Sequence, residues 1–413
     1  MRELIGRLLG HERLRAARRH IDDRDDVTLA RQAALSAVPA PTGAEGERAA
    51  RVAALFAEVG LADVAIDEVG NVRGALGGSQ GGSPPPVVLA AHLDTVFGPD
   101  IAVGVARRGT RLEGPGISDN ARGLATLIAV AEALCAAQVP LLGPLLFIAT
   151  VGEEGSGDLR GMKHLFTRQG WRPAAVIAID GAGLDRIVHR ALGARRYRIR
   201  FRGPGGHSWA AFGVANPANA VGRVAALLAD LPVRTEPRTT CAVVRLGGGT
   251  GLNSIPQDAW LDVDLRSEDQ KALAQLDATV RAALARALDD ENRRRIPGTH
   301  PLRLEVELLG DRPSGITPRT HPLVQAAIAA NRALGRDYEL TSASTDANVP
   351  IACGVPAIAL GGGGRAGDAH LRTEWYENTD GPTGILRALL VAAAMTGVEV
   401  ARGEVPTGTA PRA

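Results

Sequence analysis

Residues 87–95 read VVLAAHLDT: five consecutive apolar residues run straight into a histidine and, two positions on, an aspartate. A short apolar run of this kind reads as a strand buried on both faces, as in a parallel sheet. Three further segments repeat the pattern, at 145–151 (LLFIATV), 176–179 (VIAI) and 356–360 (PAIAL). Helix-like segments lie between several of them, the clearest being ARGLATLIAVAEALCAA at 121–137. Such βα repetition implies an α/β domain with a mostly parallel sheet covered by helices. Ligands of such sheets bind beyond the carboxyl ends of the strands.

The residues that follow these strands carry the chemistry. The first strand runs into His92 and Asp94, the second into Glu153 and Glu154, the third into Asp180, and the fourth opens into GGGGRAGDAH, ending at His370. Between the first two, GPGISDN (114–120) sets Asp119 just ahead of a helix. On a continuing strand His92 and Asp94 point the same way, so Asp94 can accept the second imidazole N–H; an ordinary polar strand end is the alternative. Asp119 is placed either to bridge two cations or to cap the helix, and one carboxylate can do both. Glu153 and Glu154 repel each other unless something positive lies beside them. One of the pair ligating a metal while the other takes a proton from water resolves the conflict. A mixed His/Asp/Glu set suits zinc, or alternatively manganese or cobalt. Two such ions side by side activate a shared water and polarise a carbonyl.

Other classes find no support. The chain has 413 residues, 45% hydrophobic and 22% charged, with a net charge of +2 and only 3% aromatics. Near-neutrality and few rings argue against nucleic-acid binding. No phosphate-cradling glycine motif and no GXSXG nucleophile motif occur. Cys135, Cys241 and Cys353 are far apart and read as core thiols rather than a disulfide framework or a zinc cluster. Neither a signal-peptide core nor a membrane span is apparent, so a cytoplasmic location is expected. Residues 1–36 read as one or two arginine-rich surface helices, and GGSQGGSPPP (77–86) as a mobile surface turn. Thr42 and Glu45 have the spacing of a capping box.

The middle of the chain changes character. RRYRIRFRGPGG (195–206) alternates like an exposed strand, as do TTCAVVRLGGG (239–249) and AWLDVDLRS (259–267), and helical stretches at 216–231 and 271–291 accompany them. An α+β insert is expected over 188–308, interrupting a catalytic domain formed by 1–187 and 309–413.

The ordered set HLDT, GPGISDN, GEEG, IAID, GGHS, LNSIP and AHLRTE resembles the M20 family of dinuclear metallopeptidases over about residues 35–397. The forms GEEGSGDLRG and RGPGGHSWAAFG look closest to its peptidase T-like branch. The resemblance implies that Asp119 bridges two divalent ions, with His92 and Asp180 completing one site and Glu154 and His370 the other. It makes Glu153 the general base and has Asp94 orient His92. The insert becomes a lid and dimerisation domain. Within it His207 is supplied across a homodimer to hold the oxyanion, while Asn253 and Arg266 bind substrate; a structural salt bridge is the competing reading of Arg266. Aspartate at 180, where some members carry glutamate, looks like the peptidase-type choice. Two departures stand out: Val151-Gly152 replaces an aspartate that many relatives have before the paired glutamates, and Trp209 follows the GGHS motif. The expected activity is cleavage of amide bonds in short peptides by a di- or tripeptide exopeptidase. The alternative is a deacylase or amidohydrolase acting on N-acyl or N-carbamoyl amino acids, and a third reading is a non-catalytic binding protein on the same fold.

Overall fold

The computed structural model describes residues 1–77 and 84–399. The turn expected at 77–86 falls largely on 78–83, outside the described residues. The chain divides into two compact units. One comprises residues 1–189, 317–341 and those from 345 onward; the other comprises 190–316 with 342–344.

The sheet of the first unit has four parallel strands at its centre, in the order Leu145–Thr150, Val87–His92, Ala175–Ile179 and Ala357–Leu360. Its flanks are antiparallel: Val72–Leu76 pairs with Leu145–Thr150, and Arg186–Ala191 with Ala357–Leu360. The sheet is therefore mixed, with the parallel part confined to the apolar runs. Every residue of Val87–His92 and of Ala175–Ile179 is buried, which is why these strands lack alternation. Register aligns their carboxyl ends, since His92 lies beside Thr150 and Leu360 beside Ile179.

The helix Ala121–Ala136 is buried along almost its whole length, with Leu124, Leu127, Ile128, Val130 and Leu134 in the core. Each such side chain contributes about 1.5–3 kcal/mol of burial. The N-terminal segment forms three helices, Arg2–Gly10, Glu12–Asp23 and Asp25–Ser36. They are not purely surface elements: Ile5, Leu8, Leu14, Ala17, Ile21 and Leu35 join the same core. The arginines of the first two helices occupy the opposite stripe, as amphipathicity requires, whereas Arg31 of the third is buried and pairs with Glu132 at 3.1 Å.

The second unit is an antiparallel sheet in the order Arg234–Thr235, Arg238–Gly248, Asp258–Ser267, Gly193–Arg202 and Arg303–Arg312. Gly193–Arg202 alternates because it is half-buried, and it is an interior strand flanked on both sides rather than an exposed one. Tyr197, Ile199 and Phe201 face the helices Pro217–Ala229 and Gln270–Arg294 in a separate core with Leu261, Val263 and Leu265. The three cysteines are free and half-buried.

Candidate metal centre

His92 is the last residue of its strand, and its ring is held from both sides. Nε2 lies 3.0 Å from Asp119 Oδ1, while Nδ1 lies 3.1 Å from the Asp94 carbonyl oxygen and 3.4 Å from Asp94 Oδ1. The strand ends before Asp94, so the carboxylate reaches the ring from the loop. Asp94 does more than the sequence suggests. Its Oδ1 accepts the Glu153 backbone N–H and its Oδ2 accepts that of Glu154, each at 2.9 Å, so one buried carboxylate fixes the GEEG turn. Oδ2 also accepts the Thr42 hydroxyl at 2.8 Å. Thr42 is thus no capping-box residue. The helix Gly46–Glu58 has no side-chain cap, and Glu45 instead accepts from the N–H groups of Gly43 and Gly152 and from Arg160. Competing polar partners across the fold outweigh the local spacing.

Asp119 likewise does not cap the helix that follows it. Asn120 takes that position and accepts the Gly123 N–H at 3.0 Å. A Cβ at Gly123 would lie 2.1 Å from the Asn120 oxygen and 2.5 Å from the Ile179 carbonyl, so only glycine admits this cap. Asp119 is released to face the site, where its Oδ2 lies 3.2 Å from His370 Nε2. The two oxygens of one carboxylate therefore address two different imidazoles. Glu154 Oε1 lies 3.1 Å from His370 Nε2, and Asp180 Oδ1 lies 3.9 Å from His92 Nε2.

Two sets of donor atoms result, His92–Asp119–Asp180 and Asp119–Glu154–His370, each within 4.8 Å and sharing Asp119. His92, Glu153 and Glu154 also converge within that distance. His92, Glu153 and Glu154 are buried, Asp119 and Asp180 half-buried, and His370 exposed. The electrostatics fit a cation. Burial and the neighbouring Asp119 charge push the Asp180 carboxyl up to about 7. Burial alone would lower His92, but hydrogen bonds to Asp119 and Asp94 hold it well above its usual value. Hydrogen bonds to Asp119 and Glu154 raise His370 to about 10. Converging carboxylates that hold protons on their imidazoles are short of positive charge, and divalent ions supply it. Three carboxylates and two imidazoles, without thiolate, are the donor types of a hydrolytic two-metal site.

Several residues that complete this geometry went unmarked in the sequence. Glu374, the last residue of AHLRTE, is fully buried and accepts from the N–H groups of Gly116, Ser118 and Asp119 and from the Ser118 hydroxyl. It shapes the loop that presents Asp119. Arg122, also fully buried, donates to the carbonyls of Gly362 and Gly381 and so anchors the glycine run leading to His370. A charged residue amid an apolar helix and a glutamate in a polar motif were the available signals.

The second unit holds the other candidates. His207 pairs with Ser254 in a short antiparallel ribbon, and the Ser208 N–H donates to the Asn253 carbonyl at 2.8 Å, so His207 and Asn253 are neighbours. His207 Nδ1 accepts the backbone N–H of Trp209 at 3.2 Å, which leaves Nε2 as the protonated nitrogen of the neutral ring. Arg266 lies on Asp258–Ser267, apart from that ribbon, and pairs with Asp264 at 2.9 Å, as its competing reading anticipates.

The site is that of a dinuclear metal hydrolase, and comparison with known proteins identifies the family. Residues 88–394 match the model of peptidase family M20/M25/M40, and the chain belongs to that family. A succinyl-diaminopimelate desuccinylase of Leptothrix cholodnii is 29% identical over 275 residues, covering 61% of this chain and 70% of that protein. Among solved structures, aminopeptidase PepT from Bacillus cereus has a TM-score of 0.69 at 21% identity, covering 89% of this chain and 97% of its own. The di-peptidase Dug1p of Saccharomyces cerevisiae has a TM-score of 0.70 at 16% identity, covering 93% and 98%. An amidase of the hydantoinase/carbamoylase family from Burkholderia vietnamiensis has a TM-score of 0.65 at 19% identity, covering 92% and 96%. These structures share the fold. The protein is a metal-dependent hydrolase of the M20 superfamily, with a dinuclear divalent-metal site and the capacity to cleave amide bonds. No helix among the described residues is long and apolar enough to cross a membrane.

Proposed function

We infer that the protein is a deacylase, hydrolysing the amide of N-acyl or N-carbamoyl amino acids. The observation that carries the chemistry is the pair of donor sets sharing Asp119, with the buried Glu153 carboxylate alongside. The substrate class draws on the desuccinylase relative, which is 29% identical over 275 residues. In this reading His92 and Asp180 would hold one ion and Glu154 and His370 the other, with Asp119 belonging to both donor sets. Zinc is the expected metal, with manganese or cobalt as substitutes. The bound ions would supply a water of lowered pKa and a polarised scissile carbonyl.

The residues of the chain do the rest. Glu153 takes a proton from the attacking water and delivers it to the leaving amine. Asp94 keeps Glu153 in place through its backbone N–H and keeps the His92 ring oriented. His207, with Nε2–H free to donate, would hold the oxyanion from the partner subunit of a homodimer. Dimerisation draws support from the strand Arg238–Gly248: beyond Thr239 it is paired on one side only among the described residues, and it exposes Val244 and Leu246. Asn253 would contact substrate; Arg266 could do so only by releasing Asp264, and that ion pair favours its structural reading.

A second reading, exopeptidase action on di- or tripeptides, is favoured by aspartate at 180. Turnover of a library of N-acyl amino acids, N-carbamoyl amino acids, dipeptides and tripeptides by the metal-loaded enzyme, read by mass spectrometry, separates the two. Deacylation without peptide cleavage supports the first. Peptide cleavage alone replaces it with the second.

A further inference from the structure

A cavity of about 640 Å³ opens on Ser118, Asp119 and Asp180, and the charged groups of its remaining wall are Arg186, Arg336 and Arg365 with Asp185 and Asp380. That volume is ordinary for a small-molecule site. The three arginines are not equivalent. Arg336 is neutralised by an ion pair with Asp380. Arg186 and Arg365 are exposed, and neither side chain has an ion-pair or hydrogen-bond partner among the described residues. The other acidic group of the wall, Asp185, adjoins Arg186 in the chain and exerts its charge on the buried Arg387.

Topology brings the two free guanidinium groups to the metal end of the sheet. Ile187 lies beside Leu360 in antiparallel register, so Arg186 stands where the Ala357–Leu360 strand ends. Arg365 opens the short strand that follows the glycine run from that same end. Two unpaired guanidinium groups beside a cation-binding centre make an anion site, because divalent ions offset the charge of Asp119 and Asp180. The planar fork of arginine matches a carboxylate in two parallel hydrogen bonds.

We propose that Arg186 and Arg365 form a subsite for a substrate carboxylate remote from the scissile amide, so that the enzyme selects substrates bearing a negative charge on the side that occupies this cavity. The proposal deepens the amide-hydrolase reading above and rests on it for the location of the scissile bond.

The test compares N-succinyl-leucine with N-butyryl-leucine, which lacks the acyl carboxylate, and with N-succinyl-leucinamide, which lacks the amino-acid carboxylate. In the metal-loaded wild type, loss of the carboxylate that sits in the cavity should lower kcat/KM by about 10- to 100-fold, the range of a charge-assisted pair. Which arm shows the loss names the source of the charge. In R186A/R365A that discrimination should shrink to a few-fold, and R186K/R365K should restore part of it. Wild-type discrimination retained in R186A/R365A, or no discrimination by the wild type in either arm, overturns the proposal. Calorimetric titration of succinate into the metal-loaded proteins separates this failure from failure of the deacylase reading. At least tenfold weaker binding to R186A/R365A supports the subsite even where none of the three compounds is hydrolysed, and equal binding there overturns it.

Discussion

Acidic residues converge in two regions of this protein and meet opposite fates. On the open face of the second unit's sheet, each aspartate has arginine partners. Asp262 lies 2.9 Å from Arg198 and 2.7 Å from Arg245, and Asp264 pairs with Arg266. Toward its helices, Asp277 pairs with Arg195 and Arg281 and accepts the Tyr197 hydroxyl. At the strand ends of the first unit, Asp119, Glu154 and Asp180 have only imidazoles as cationic partners among the described residues. In the first region the charges are satisfied, and hydrogen bonds to Arg198 hold the Asp262 carboxyl below the usual range. In the second, burial and mutual repulsion drive Asp180 in the other direction. A carboxylate cluster that the protein has not neutralised is one that something else must.

The sharpest way to break this contrast is to remove the proposed base. Glu153→Gln should cut kcat by about 10²–10⁴-fold with the metal content unchanged, measured by steady-state kinetics beside elemental analysis. Full activity in that variant would refute the role given to Glu153. Next in size is the response to metal. At a hundredfold excess over its Kd, zinc should stabilise the wild type by about 2.7 kcal/mol in chemical denaturation. Asp119→Asn should lose most of that gain, because both donor sets share the residue. Asp262→Asn should show no change in metal-linked stability but should lower the overall stability, because Arg198 and Arg245 lose their charged acceptor.

Acid should distinguish the regions as well. The folded pKa of Asp262 lies below its unfolded value, so its contribution is present above that unfolded value and is lost as pH falls through the folded one. The wild type should therefore lose stability more steeply than Asp262→Asn below about pH 4. Parallel unfolding curves across that range would contradict the assignment. The smallest effect is expected from Arg266→Ala. If the pair with Asp264 is only structural, stability changes by about 0.2–1 kcal/mol and kcat/KM stays put; a large loss of kcat/KM would move Arg266 into the substrate site.

Much of this was legible in the chain because the signals were local. A strand buried on both faces needs an unbroken apolar run, and the polar residue that ends it is then carried to the sheet's edge. His92, Glu153, Glu154 and Asp180 were readable for that reason. Helix ends were less so. Thr42 and Glu45 have the spacing of a cap, yet their side chains turn to Asp94 and to Gly152 and Arg160, more than 45 residues away. The strand Gly193–Arg202 reads as exposed because alternation reports a half-buried face, and carries no information about neighbours along the hydrogen-bonding direction.

Composition, the apolar runs and the ordered polar motifs thus determined the α/β class, the insert and the set of candidate donors. Tertiary structure alone decided that Asn120 rather than Asp119 caps the helix, that Glu374 and Arg122 brace the loops of the site, and that Arg186 and Arg365 share a wall with Asp180. The physical reason is range. Periodicity and strand ends are properties of a few consecutive residues, whereas a hydrogen bond from the Ser118 N–H to Glu374 exists only after 256 positions of chain have been folded back on themselves.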